Sequence, residues 1–134
     1  MSYRLVFDTK HQYGSGQGIQ VPVILGLRGQ IVKLDAKVDT GAEYCVFQRG
    51  YGEHLGLEIE KGHEQRLATP TGSFQTFGHF LTIEVFGYPV DSMVYFAVDP
   101  DFKRNVLGRN GWLNRYRVAF IDHDSELYLS PYDA

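Results

Sequence analysis

Lys37-Val38-Asp39-Thr40-Gly41-Ala42-Glu43-Tyr44-Cys45-Val46 begins like the end of one strand and finishes like the start of another. Between the two apolar ends lies a bend of small residues, Thr40-Gly41-Ala42, flanked by the carboxylates of Asp39 and Glu43. Gly41 has no Cβ, so the backbone there can come close to whatever faces it. An Asp at a strand end also has a plain structural use, because its side chain can hydrogen-bond the backbone two residues on and support a turn. Asp-Thr-Gly alone arises by chance in about one chain per hundred of this length, from the product of residue frequencies. Its weight depends on what surrounds it.

The surroundings read as strands. Ile19–Leu27 and Gln30–Val38 form a hairpin turning at Arg28-Gly29, and Tyr44–Gln48 is a short strand after the bend. Tyr3–Phe7 is a candidate first strand, followed by a Gly-, Ser- and Gln-rich loop over His11–Gly18. Arg49–Leu57 is expected to hold one turn of helix, ended by Gly56. Glu64–Thr69 and Ser73–Phe86 flank the turn Pro70-Thr71-Gly72. Gly87-Tyr88-Pro89 turns the chain into Asp91–Val98, and Asn105–Leu107 is short and apolar. The best helix candidate is Asn110–Tyr116, with Trp112, Leu113 and Tyr116 on one side. Arg117–Ile121 and Glu126–Ser130 form a last hairpin across Asp122-His123-Asp124-Ser125. Aromatic residues make up 14 % of the chain, which suits strands better than helices. The expected class is all-β: a small closed or barrel-like sheet with one short C-terminal helix, formed as one domain over 1–134.

Composition narrows the function. The net charge is -3, and the basic residues are scattered, which argues against a nucleic-acid surface. One cysteine, Cys45, rules out an intrachain disulfide and fits a reducing compartment. No run approaches the roughly 20 apolar residues of a membrane span, and the first residues lack a signal-peptide pattern. A cytoplasmic protein without nucleic-acid or membrane partners is expected.

A second segment completes the pattern. Asn105-Val106-Leu107-Gly108-Arg109-Asn110 lies downstream of the Asp39 bend, with a Gly- and Pro-containing hairpin between them. Together these resemble the retropepsin branch of the aspartic proteases. Its signature is an apolar residue, then Asp-Thr-Gly-Ala, and later two apolar residues before Gly-Arg-Asn. The resemblance runs from about Ile19 to Leu129. It implies the retropepsin fold with a flap hairpin over the cleft, and hydrolysis of peptide bonds by a water held between two carboxylates. Close carboxylates share one proton because both cannot ionise cheaply side by side. This chain has one Asp-Thr-Gly, so the resemblance implies a homodimer that brings two Asp39 side chains together, with a polypeptide as substrate.

The same resemblance assigns the residues. Asp39, Thr40 and Gly41 are the catalytic set, with Thr40 bonding its twin across the dyad. Gly41, Ala42 and Glu43 line the floor for substrate. Leu67–Phe77 is the flap candidate, where Thr71, Gly72 and Ser73 touch substrate from the tip. Gly108 and Arg109 support the loop, and Glu43 is expected to pair with Arg109. Glu43 stands where the common retroviral pattern has Asp. The chain ends, Tyr3–Phe7 and Glu126–Pro131, are expected to supply dimer strands.

Other signals are weaker. Gly14-Ser15-Gly16-Gln17-Gly18 precedes a strand rather than a helix, so it reads as a loop and not a phosphate cradle. The histidines show no metal-ligand spacing, and Asp122, Asp124 and Glu126 lack the form of a calcium loop. No metal and no cofactor are expected. Cys45 reads as a buried thiol. Ser15 and Ser73 lie in no nucleophile-elbow context. Two other functions stay open at this level: a catalytically inactive retropepsin scaffold for peptide binding or dimerisation, and a β-barrel ligand carrier. The carrier leaves the Gly108-Arg109 match unexplained.

Overall fold

The computed structural model describes residues 1–132. Its strands are β1 (Thr9–Gln12), β2 (Gln20–Leu27), β3 (Gln30–Val38), β4 (Val46–Phe47), β5 (His63–Thr69), β6 (Gly72–Val85), β7 (Tyr88–Ala97), β8 (Val106–Leu107), β9 (Tyr116–Ile121) and β10 (Glu126–Pro131). The α-helix α1 spans Arg49–His54.

Period-two patterning builds the first hairpin. Val21, Val23 and Leu25 of β2 face Leu34, Ala36 and Val38 of β3 from inside the core, while Lys33, Asp35 and Lys37 point to water. Arg28 (φ 51°) and Gly29 (φ 82°) make the turn. Two left-handed residues in a two-residue loop match the twist of the strands they join.

Seven strands are ordered β2-β3-β8-β4-β7-β6-β5, and β2 also pairs with β6. That last pairing, Ile24↔Glu84 to Gly26↔Thr82, closes the sheet on itself. The closed, barrel-like expectation is met, and β5 hangs on β6 outside the closure. Inside lie Leu25, Phe47, Ile83, Phe96, Leu107 and Trp112, each at most 1 % exposed. A smaller sheet, β1-β10-β9, covers one end and adds Leu127 and Leu129 to the same core.

Several elements differ from the sequence reading. Tyr3–Phe7 is not a strand. Tyr3, Leu5 and Val6 stand exposed, and the place beside β10 is taken by Thr9–Gln12 instead. Only Phe7 docks, against Tyr128 at 6.0 Å between ring centroids, with the Arg117 guanidinium 5.7 Å from its ring. Glu126–Pro131 offers no free edge, because it is the central strand with β1 on one side and β9 on the other. The edge strands of this sheet are Thr9–Gln12 and Tyr116–Ile121. Asn110–Tyr116 contains a single 3-10 turn, Leu113–Arg115, because Gly111 at φ 106° interrupts any longer helix. The turn placed at Gly87-Tyr88-Pro89 sits one step earlier, at Phe86 (φ 53°) and Gly87 (φ 82°). Tyr88 and Pro89 already belong to β7, at a point where only β6 lies alongside, and a proline is tolerated on such an open side. No helix among the described residues is long and apolar enough to cross a membrane.

Candidate active site

The Asp39 bend is built around β8. Lys37 and Val38 run parallel to Val106 and Leu107, and Val46 runs antiparallel to Val106 from the other side. The chain therefore leaves one flank of β8, bends through residues 39–45 and returns on the other flank. Backbone bonds stitch the bend in place. Asp39 N–H donates to Leu107 O at 3.0 Å, Arg109 N–H to Ala42 O at 2.9 Å, and Asn110 N–H to Glu43 O at 2.8 Å. A parallel bridge joins Tyr44 to Asn110.

This stitching explains Gly108. A Cβ there would lie 2.3 Å from Tyr44 O and 2.8 Å from Ala42 O, so only glycine lets the two segments lie this close. The segment after it folds back on itself. Leu113 N–H donates to Gly108 O at 3.1 Å, and Asn114 N–H to Arg109 O at 2.9 Å.

Asp39 is half-buried. Its Oδ1 accepts the Gly41 N–H at 2.9 Å, which fixes the carboxylate against its own loop. A Cβ on Gly41 would stand 3.3 Å from that oxygen, tight enough to disturb it. The structure thus gathers Asp39, Thr40, Gly41, Ala42, Glu43, Gly108 and Arg109 into one place. Thr40 and Gly41 are exposed, and Thr40 forms no side-chain hydrogen bond among the described residues. Thr71, Gly72 and Ser73 lie elsewhere, exposed at the tip of the β5–β6 hairpin, where Thr69 faces Gly72 across Pro70-Thr71. No hydrogen bond among the described residues joins that tip to the Asp39 bend. The Ser73 hydroxyl is engaged by Arg66 at 3.1 Å, within the hairpin.

The expected Glu43–Arg109 ion pair is absent. The ion pairs among the described residues are Lys10–Glu126, Arg49–Glu53, Arg49–Glu60 and Lys61–Glu58. Glu43 and Arg109 are linked through their neighbours' backbone instead, and both side chains reach solvent. A pair in water is worth under about 1 kcal/mol, so little draws them together.

Other residues take structural parts. Burial pushes the Cys45 thiol up to about 12, so it stays protonated and inert. Asp122 accepts the Tyr13 hydroxyl, and Glu126 pairs with Lys10. Sequence reading missed an open groove of about 460 Å³ beside the bend, where the Tyr44 and Tyr95 rings meet tilted, 5.0 Å between centroids, near Phe80 and Met93. The outward register of Phe80 and Met93 on facing strands was the available signal.

No protein-family model and no curated protein matches the sequence. Among solved structures, the chain is similar to the EIAV protease complexed with the inhibitor HBY-793. Identity is 20 %, the TM-score is 0.58, and the match covers 74 % of this chain and 88 % of that one. With its closed sheet and the bend wrapped around β8, the chain has a retropepsin-like, all-β fold.

Proposed function

We propose that this chain is an aspartic endopeptidase that works as a homodimer and cuts extended polypeptides. The observation that supports this best is the Asp39 bend. One carboxylate is presented half-exposed at the end of β3, held by the Gly41 N–H and by backbone bonds to the segment after β8. One such carboxylate per chain calls for a second copy. A twofold axis through the bend sets Asp39 against Asp39, and the exposed, unbonded Thr40 is free to meet its twin there. The free edge of β9 offers the contact between copies, since an unpaired strand edge favours pairing.

In the dimer one carboxylate is charged and the other protonated. The charged one takes a proton from water, and the resulting hydroxide adds to the scissile carbonyl. The protonated one supports the oxygen that gains charge. When the C–N bond breaks, the carboxylate that took the water's proton passes it to the leaving amine and is charged again. Gly41, Ala42 and Glu43 bind the peptide from below, and Thr71, Gly72 and Ser73 bind it from a hairpin that closes as a flap and excludes water. A single domain over 1–134, working in the cytoplasm without nucleic acid or membrane, belongs to the same reading.

The test uses Asp39→Asn, which keeps size and removes both bases of the dimer at once. Wild type and variant are incubated with a diverse peptide pool from acid to neutral pH, and cuts are read by mass spectrometry. Cutting by wild type alone is expected. Equal cutting by both would remove Asp39 from the mechanism, and no cutting by either would favour a catalytically inactive scaffold.

A further inference from the structure

Strand β6 is held to the barrel by β7 as far as Thr76↔Ala97, and one more bond, Val98 N–H to Gln75 O at 3.0 Å, closes that pairing. Beyond Gln75 the hairpin leaves the sheet. From Leu67 to Phe74 its strands pair only with each other. Among the described residues no hydrogen bond ties this stretch to anything outside the hairpin.

One side chain bridges the gap. Phe74 is the first residue past the last backbone bond, and its ring stacks on Phe102 with centroids 5.0 Å apart and planes 20° from parallel. Phe102 lies in the connection from β7 to β8. Asp99 shapes the turn that presents it: Asp99 O accepts the Phe102 N–H at 3.1 Å and Asp99 Oδ1 the Asp101 N–H at 2.8 Å. Three residues on, Asn105 is fastened to both strands that flank the Asp39 bend. Its O accepts Lys37 N–H at 2.9 Å, its Oδ1 accepts Gln48 N–H at 3.1 Å, and its Nδ2 donates to Asp35 O at 3.3 Å. The Phe102 ring therefore stands on a fixed base, while Phe74 stands at the root of a segment that, among the described residues, no hydrogen bond ties to the rest of the fold.

We propose that the Phe74–Phe102 stack is a latch that sets how readily the β5–β6 hairpin opens, with Phe102 as a positioning residue for substrate capture. The proposal rests on the reading of this hairpin as the flap over Asp39. Both rings are half-buried and neither belongs to the core cluster. Parting them therefore breaks one aromatic contact and leaves the core intact. A single stacked pair is strong enough to favour the closed arrangement and weak enough to part during turnover.

Hydrogen exchange of the free protein, read by mass spectrometry, tests the latch without relying on activity. Phe102→Leu keeps bulk but removes the ring, and Phe102→Tyr keeps the stack. In Phe102→Leu the amides of Leu67–Phe74 should exchange about three- to tenfold faster, the range for one lost aromatic pair. Those of β2, β3 and β7 should not change, and Phe102→Tyr should restore the wild-type rate. In peptide cleavage, Phe102→Leu should raise KM by a similar factor and leave kcat in place. A hairpin that does not loosen, or a chain that loosens everywhere alike, would overturn the latch whether or not the protein cuts. A hairpin that loosens while wild type cuts nothing supports the latch and overturns the protease reading. Loosening with an unchanged KM would overturn the part played in substrate capture.

Discussion

Replacing Gly108 by alanine is the most direct strain on the candidate site. The added Cβ would meet Tyr44 O at 2.3 Å, Tyr44 C at 2.7 Å and Ala42 O at 2.8 Å. These are backbone atoms and cannot swing aside as a flexible side chain would. Ordinary contact needs about 3.5 Å, so the 42–44 segment must retreat by about 1 Å. That retreat stretches the bonds from Arg109 N–H to Ala42 O (2.9 Å) and from Asn110 N–H to Glu43 O (2.8 Å) beyond useful length. Overpacking costs about 1–3 kcal/mol, and each lost bond about 0.5–1.5 kcal/mol net. The expected loss is about 2–6 kcal/mol, a large share of the roughly 5–15 kcal/mol that holds a domain together. The φ of Gly108 is not left-handed, so backbone strain plays no part in the estimate. Urea unfolding reads it as a lowered midpoint. Gly50→Ala is the control, because that glycine lies in α1 with nothing within 4 Å of the added carbon, and helix propensity predicts a gain of up to about 1 kcal/mol. A Gly108→Ala midpoint equal to wild type would show that the bend does not rest on β8 in the way described.

Arg109→Ala should leave the stability of the single chain within about 0.5 kcal/mol, since its side chain is exposed and makes no ion pair; a large drop in the thermal midpoint would mean a partner was missed. Tyr13 has its hydroxyl pushed up to about 12, first by the hydrogen bond to Asp122 and then by burial. Its neutral form is favoured in the folded state, so this contribution is complete below the unfolded value near 10 and disappears as pH rises toward 12. Tyr13→Phe should therefore lose stability less steeply than wild type between pH 10 and 12 in chemical unfolding, and parallel curves would refute this. Cys45 should resist iodoacetamide in the native protein and react at once in urea, because burial both shields the thiol and keeps it protonated; rapid native labelling would show that the core opens there.

What could be read from the sequence was local. The Arg28-Gly29 turn and the alternation on either side specify the first hairpin almost to the residue, because side-chain period and turn geometry act over short distances. The Asp39 bend and the Gly108 segment could be paired because both carry residues chosen by close approach. What failed depended on competition or distance. Tyr3–Phe7 has strand composition, but a strand needs a neighbour, and Thr9–Gln12 occupies the place beside β10. Asn110–Tyr116 shows an apolar face, yet Gly111 takes a left-handed φ so that the following turn can pack Trp112 inward. Glu43 and Arg109 come close in space as backbone, and no pattern along the chain says whether their side chains then meet. Phe74 and Phe102 follow no shared period, so their stack appears only once β6 and β7 are aligned.

The small sheet has a consequence for how the protein is made. Asp8 and Ser130, joined by a 2.7 Å hydrogen bond beside the β1–β10 pairing, are 122 residues apart along the chain. At synthesis rates of about 5–20 residues per second, Ser130 follows Asp8 by about 6–24 s. Throughout that interval β1 has no strand to register against, while β2 and β3 can already form their hairpin. Closing so long a loop is also slow to nucleate, since its entropy is lost before any contact rewards it. The β9 edge is finished in the same late step. Any pairing of copies through that edge, and any activity that needs it, would therefore begin only after each copy has made this sheet.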